Sequence, residues 1–181
     1  MVLGCLLCAG LGCQRGKGQA VVIQPSAMDS TAISVPGDPF GSASPAYKRL
    51  VEVTDAAVAT KWTGALEDFA PWLEEETVAV ERALALLKAI RVGPGDVYAV
   101  ANGRIAMVYD HIAVALTEAS RAAEAAGFDA DWKGEEGRVW ATSNAFWARC
   151  ARGCSMGGTH LDAWDLRCRS GFTNSEAKFD L

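Results

Sequence analysis

The sequence predicts an all-α protein: an antiparallel four-helix bundle followed by an irregular, cysteine-bearing C-terminal tail. Three observations carry that expectation. Apolar residues recur three and four positions apart in four successive segments, as on helices with one buried face. No stretch of useful length alternates apolar and polar residues as a half-buried strand does. Short Gly- and Pro-bearing connections separate the four segments, and short connections join antiparallel neighbours in a bundle.

The chain begins with an address rather than a bundle element. In residues 1–13 a short apolar run, Leu3, Leu6, Leu7, Ala9 and Leu11, ends at Gly12-Cys13. The next six residues, Gln14 to Gln19, turn abruptly polar. An apolar run leading to a small residue is how export signals are built. The segment resembles a bacterial lipoprotein signal, in which a small residue precedes the lipidated cysteine. That resemblance implies lipidation of Cys13 and a place on the periplasmic face of a membrane in the cell envelope. Two features depart from the pattern: Gly10 stands where Leu is preferred, and no Lys or Arg precedes the apolar run. The leader is therefore expected to begin upstream of Met1. Its run is too short to cross a bilayer, which takes about 20 apolar residues. No later segment reaches that length without charges.

Residues 14–44 read as a flexible linker, with Pro25, Pro36, Pro39 and several Ser and Gly. Ile33 to Phe40 also suits an irregular segment lying on the domain surface. The bundle is expected over 45–153. Ser44-Pro45 offers an N-cap and a proline at the first helical position. Tyr47, Leu50, Val51, Thr54, Val58, Trp62, Ala65 and Phe69 follow at helical spacing up to Pro71. Trp72, Leu73, Val80, Leu84, Leu87 and Ile90 form a second stripe, with Glu74-Glu75-Glu76 in its first turn as an acidic surface run favoured by the helix dipole.

Gly93-Pro94-Gly95 breaks that helix, and Asp96 is placed to cap the third, the longest, from Val97 to Ala126. Ala101, Ile105, Val108, Ile112, Ala115, Ala119 and Ala122 make one narrow face, with Asn102, Asp110, Thr117, Arg121 and Glu124 largely opposite. Gly127 is its stop. Val139, Trp140, Ser143, Trp147 and Cys150 mark a fourth, aromatic-rich helix. Trp132 and Trp164 fall in loop-like sequence, where they plug the bundle ends or anchor an interface. Gly153, Gly157 and Gly158 end the helical part, leaving 154–181 as the tail.

The tail holds the unusual chemistry, Cys150-x3-Cys154-x5-His160-x7-Cys168. Three cysteines and a histidine are the ligand types of a tetrahedral zinc site, but the C-x2-C pairs of common zinc motifs are missing. In an oxidising compartment cysteines pair with each other. Cys150 and Cys154, one helical turn apart, would constrain little if bridged. A bridge from Cys168 back to Cys154 or Cys150 pins the tail to the fourth helix. The expected pair is Cys154–Cys168, with Cys150 left over in the core beside Trp147, and no metal. The chain also resembles exported cytochromes of the c-prime type, four-helix bundles whose last helix carries a C-x-x-C-H haem attachment. Cys150-Ala-Arg-Gly-Cys154-Ser155 has one residue too many and serine in place of the axial histidine. Haem chemistry is not carried over, and no cofactor is expected.

The remaining candidates are weaker. Asp110 and His111 are adjacent on a helix and point about 100° apart, so they do not form a catalytic pair; His111 is expected to be a partly exposed structural residue. Two histidines, His111 and His160, exclude a histidine-rich metal site. No nucleophile elbow, P-loop or dinucleotide fingerprint occurs. Ala46 to Gly137 holds nine Lys and Arg against sixteen Asp and Glu. Such an acidic body argues against nucleic acid, whose binding needs a basic face. The function expected is therefore that of an exported, lipid-anchored helical protein, not an enzyme, with a binding or envelope-structural role. The expected partners are the membrane, through the N-terminal lipid, and a protein. The alternative is a periplasmic ligand or metal carrier using the bundle interior or the Cys150, Cys154, His160 and Cys168 tail.

Overall fold

The computed structural model describes residues 35–41, 43–128 and 132–179. The expected signal with Cys13, and most of the linker, lie outside them. Five helices follow in order: α1 (Pro45–Ala59), α2 (Phe69–Ile90), α3 (Gly95–Ala125), α4 (Lys133–Cys154) and α5 (Asp162–Phe179). Short 3-10 turns at Leu66–Asp68 and Thr159–Leu161 lead into α2 and α5, and no strand occurs among the described residues.

The helical class holds, but the irregular tail does not. Leu161, Trp164, Cys168, Gly171 and Ser175 recur at three- and four-residue spacing, and all five are buried. Gly171 and Ser175, both poor helix formers, lie in the stretch 154–181 expected to be an irregular tail. Here they sit on the buried face of α5, where small residues allow close approach to α4. A Cβ on Gly171 would run into the Trp147 ring.

The helix starts and stops follow local chemistry. Ser44 Oγ accepts a hydrogen bond from the Tyr47 backbone N–H at 3.1 Å, capping α1 at its free donors. Pro71 falls in the first turn of α2, where no intrahelical N–H partner is lost, so it starts the helix rather than ending it. Gly127 closes α3 with a φ of 76°, a backbone region that glycine enters without steric cost.

Helix α3 is the axis of the fold. It packs against α1, α2, α4 and α5, with α1 and α2 also paired on one side and α4 and α5 on the other. From Ala99 to Tyr109 every residue is buried. The single narrow face expected for this helix is thus a wrapped cylinder. Asn102, expected opposite the core, is fully buried and donates from Nδ2 to the Tyr98 carbonyl at 2.7 Å. Ala99, Ala101, Gly103, Ala106 and Ala113 keep the helix slim, so neighbours approach it from several sides.

The end of the linker belongs to the domain. Trp164 Nε1 donates to the Gly37 carbonyl at 3.2 Å, and Tyr47 Oη donates to Asp38 Oδ1 at 2.8 Å. Phe40 meets the Tyr47 ring edge-on, with centroids 5.8 Å apart. Trp132 does plug an end: Phe69 packs against Trp62, Trp72 and Trp132, with His111 edge-on to Trp72. Trp164, in the first turn of α5, is instead buried against Gly103 and Arg104 of α3.

Candidate functional site

The three C-terminal cysteines converge where α3, α4 and α5 meet. Cys150 and Cys154 lie one turn apart at the end of α4, and Cys168 faces them from α5. All three are buried, and their sulfurs lie within 4.8 Å of one another. Cys150 and Cys168 are disulfide-bonded, with Cα atoms 5.6 Å apart and a sequence separation of 18. Cys154 is the free thiol, its sulfur 3.9 Å from that of Cys150.

This corrects the expected Cys154–Cys168 bridge. An irregular tail would run back past the end of α4 and meet Cys154 first. A helical α5 lies along α4 and carries Cys168 to the level of Cys150. The close approach is made possible by α3: a Cβ on Gly103 would stand 2.6 Å from the Cys150 sulfur and 3.0 Å from the Trp164 ring.

His160 does not join the cysteines. Its Nε2 lies 3.5 Å from Asp96 Oδ2, and its ring stands edge-on to Phe40. Among the described residues, the cysteine trio is the group of metal-capable side chains close enough to share one ion. As thiolates the three would suit a soft cation, but the bridge withdraws two of them. Burial, with Asp165 and Asp96 nearby, pushes the Cys154 thiol up to about 12. It therefore stays protonated and is a poor nucleophile at neutral pH. The arrangement serves as a covalent staple holding α5 on α4.

A second polar cluster extends from the staple along the same helices. Asp110 on α3 accepts hydrogen bonds from Ser143 Oγ through Oδ1 and from Trp147 Nε1 through Oδ2, the latter at 2.9 Å. Burial raises the Asp110 carboxyl to about 6, against the opposing pull of those two hydrogen bonds and of Arg167 and Lys178. The Arg167 guanidinium lies 4.8 Å from the Trp147 ring centroid, and the Lys178 ammonium 5.0 Å from that of Trp140. Cations over indole faces are attracted by the ring quadrupole. His111 takes no part, and its Nε2 lies in hydrogen-bonding contact with the Thr60 carbonyl at 2.9 Å.

Sequence reasoning missed this network because it placed Asp110 away from the core. The signal available was the position of Ser143 and Trp147 on the buried stripe of the fourth helix, since a buried indole N–H and hydroxyl need an acceptor. It also missed Arg104, buried on α3, which pairs with Asp55 at 2.8 Å and lies over Trp164. Nothing in these clusters brings a nucleophile, a base and an open cavity together. No helix among the described residues is long and apolar enough to cross a membrane. The chain matches no protein-family model, no curated protein and no solved structure.

Proposed function

We propose that this chain is an exported protein, lipid-anchored through Cys13, whose helical domain has a non-enzymatic binding or envelope-structural role. The observation that carries the reading is the buried Cys150–Cys168 bridge. Disulfides form and persist in oxidising compartments, among them the bacterial periplasm, and are rare in the cytosol. The bridge therefore supports the compartment that the apolar run before Cys13 implies. Short connections favour an antiparallel course for successive helices of the domain.

The carrier alternative is weaker on packing grounds. Gly103, Gly153 and Gly171 place bare backbone against Cys150 and Trp164, against Ala99, and against Trp147. Contacts that leave no room for a methyl group leave none for a ligand along those stretches of the helix interfaces. His160 stands apart from the cysteines, which removes the fourth donor of a metal carrier.

Membrane fractionation of a bacterium expressing the chain tests the proposal. The wild-type protein is expected to sediment with the membranes and to enter detergent. Cys13→Ser is expected to shift it out of the membrane fraction. A wild-type protein recovered in the soluble cytoplasm, or a Cys13→Ser protein that still sediments fully, overturns the anchor.

A further inference from the structure

On α2 the buried positions are Phe69, Trp72, Glu76, Val80, Ala83, Leu87 and Ile90. One of these is a carboxylic acid. Glu76 is only 2% exposed, and its Oε2 has no hydrogen-bond partner among the described residues. Leaving such an atom unpaired is destabilising, the more so when it is charged. A leucine at this position would complete the stripe without that penalty. The expectation of a solvated acidic run at Glu74-Glu75-Glu76 therefore fails at Glu76: one helical turn after Trp72, it shares that residue's buried face.

Glu76 lies in a cleft. Helices α1 and α2 meet here through small residues, and between them lies a space of about 300 Å³ lined by Val53, Ala56, Ala57 and Ala79 with Glu52, Glu75, Glu76 and Arg82. Of the three glutamates, Glu52 and Glu75 are exposed and Glu76 is buried. Arg82 makes no ion pair among the described residues. The cleft thus offers a buried, unmet acceptor, an excess of negative charge and a short apolar wall. The carboxylates do not gather closely enough to share one metal ion, since only the cysteine trio does so among the described residues.

We infer that this cleft binds a small primary alkylamine, its ammonium donating to Glu76 and its alkyl chain lying on Ala56, Ala57 and Ala79. An ammonium supplies the positive charge and the N–H donors that the unpaired Glu76 carboxylate, whose Oε2 is sealed from solvent, accepts through Oε1. The groove, about 300 Å³ and open to solvent, takes a ligand of a few carbons along its wall. The site is built from α1 and α2, without the cysteine staple of α4 and α5, and does not depend on the lipid anchor.

The test is a two-dimensional amide NMR titration of the purified full chain with n-butylamine, with n-butanol as the neutral control. Saturable shifts at Ala56, Ala57 and Ala79 are expected with the amine and none with the alcohol. Glu76→Gln, nearly isosteric, is expected to weaken binding about tenfold or more, as loss of a charged hydrogen bond implies. Glu76→Leu, which completes the apolar stripe, is expected to remain folded by near-ultraviolet circular dichroism and to abolish binding. Absence of saturable shifts in the wild type overturns the inference, as does equal binding by Glu76→Gln or by the alcohol. Much tighter binding of Nα-acetyl-lysine amide than of butylamine also overturns it, by pointing to a protein lysine as the occupant.

Discussion

The Trp147 indole donates its Nε1 hydrogen to Asp110 Oδ2 at 2.9 Å, tying α4 to the central helix α3. The other carboxylate oxygen takes the Ser143 hydroxyl, so one acid satisfies two donors that lie a turn apart on α4. Trp147 is fully buried, and its ring rests against the backbone of Gly171 on one side. The pair is therefore where three helices fix their register.

Removing the acceptor should be costly. Asp110→Ala leaves a buried indole N–H and hydroxyl unpaired, at about 2–3 kcal/mol in urea denaturation. Asp110→Asn keeps one acceptor oxygen and should cost less than Asp110→Ala. An Asp110→Ala protein as stable as wild type would show that the network holds nothing together.

Stability should fall as pH rises through mild acid. Burial raises Glu76 from 4.5 to about 7, helped by Glu75, and raises Asp110 from 3.8 to about 6. Both acids bind protons more tightly folded than unfolded. Their contribution is complete below the unfolded values and lost as pH climbs to the folded ones. For Glu76 the loss between pH 4.5 and 7 is of order 3 kcal/mol. Thermal melts should therefore show a higher Tm near pH 5 than near pH 8, and Glu76→Gln should flatten the difference. A Tm that rises from pH 5 to pH 8 contradicts the burial of both groups.

Glycine substitutions should divide by location. Gly103→Ala and Gly171→Ala force a methyl group into Cys150 and into Trp147, and overpacking of this kind costs about 1–3 kcal/mol. Gly137, in α4, has nothing among the described residues within 4 Å of an added Cβ. Gly137→Ala should stabilise by roughly 0.5–1 kcal/mol, through helix propensity alone. Chemical denaturation of the three variants checks the ordering.

Much of this fold could be read from periodicity, and the failures share one cause. The boundaries at Ser44, Gly93-Pro94-Gly95 and Gly127 follow from capping and backbone chemistry that acts within a few residues. The apolar stripe of α2 is read correctly, Glu76 excepted, but that of α1 holds only to Val58: the helix ends at Ala59, so Trp62, Ala65 and Phe69 lie past it. The errors fall where small or polar residues are buried. Gly171 and Ser175 read as loop, Asn102 and Asp110 read as the outer face of α3, and Glu76 read as surface. Hydropathy assigns such residues to solvent, whereas a helix packed on all sides needs small ones for close approach and polar ones for cross-helix bonds. The disulfide partner was misread for the same reason, because choosing between Cys150 and Cys154 required knowing that α5 is a helix.

The staple predicts a clear division among the cysteines. Cys168→Ser or Cys150→Ser opens the loop between α4 and α5 and should cost about 2–4 kcal/mol. Cys154→Ser removes a buried thiol but no bridge, so it should cost much less. Equal losses for Cys154→Ser and Cys150→Ser would place the bridge elsewhere.

The intact mass of the mature protein under non-reducing conditions decides whether this is an anchored, exported domain held by one bridge. A chain that begins at a diacylglycerol-modified Cys13 and, once denatured, adds an alkylating label to Cys154 alone is the predicted result. A chain that retains an unmodified Met1, or that labels Cys150, Cys154 and Cys168 together, contradicts the account.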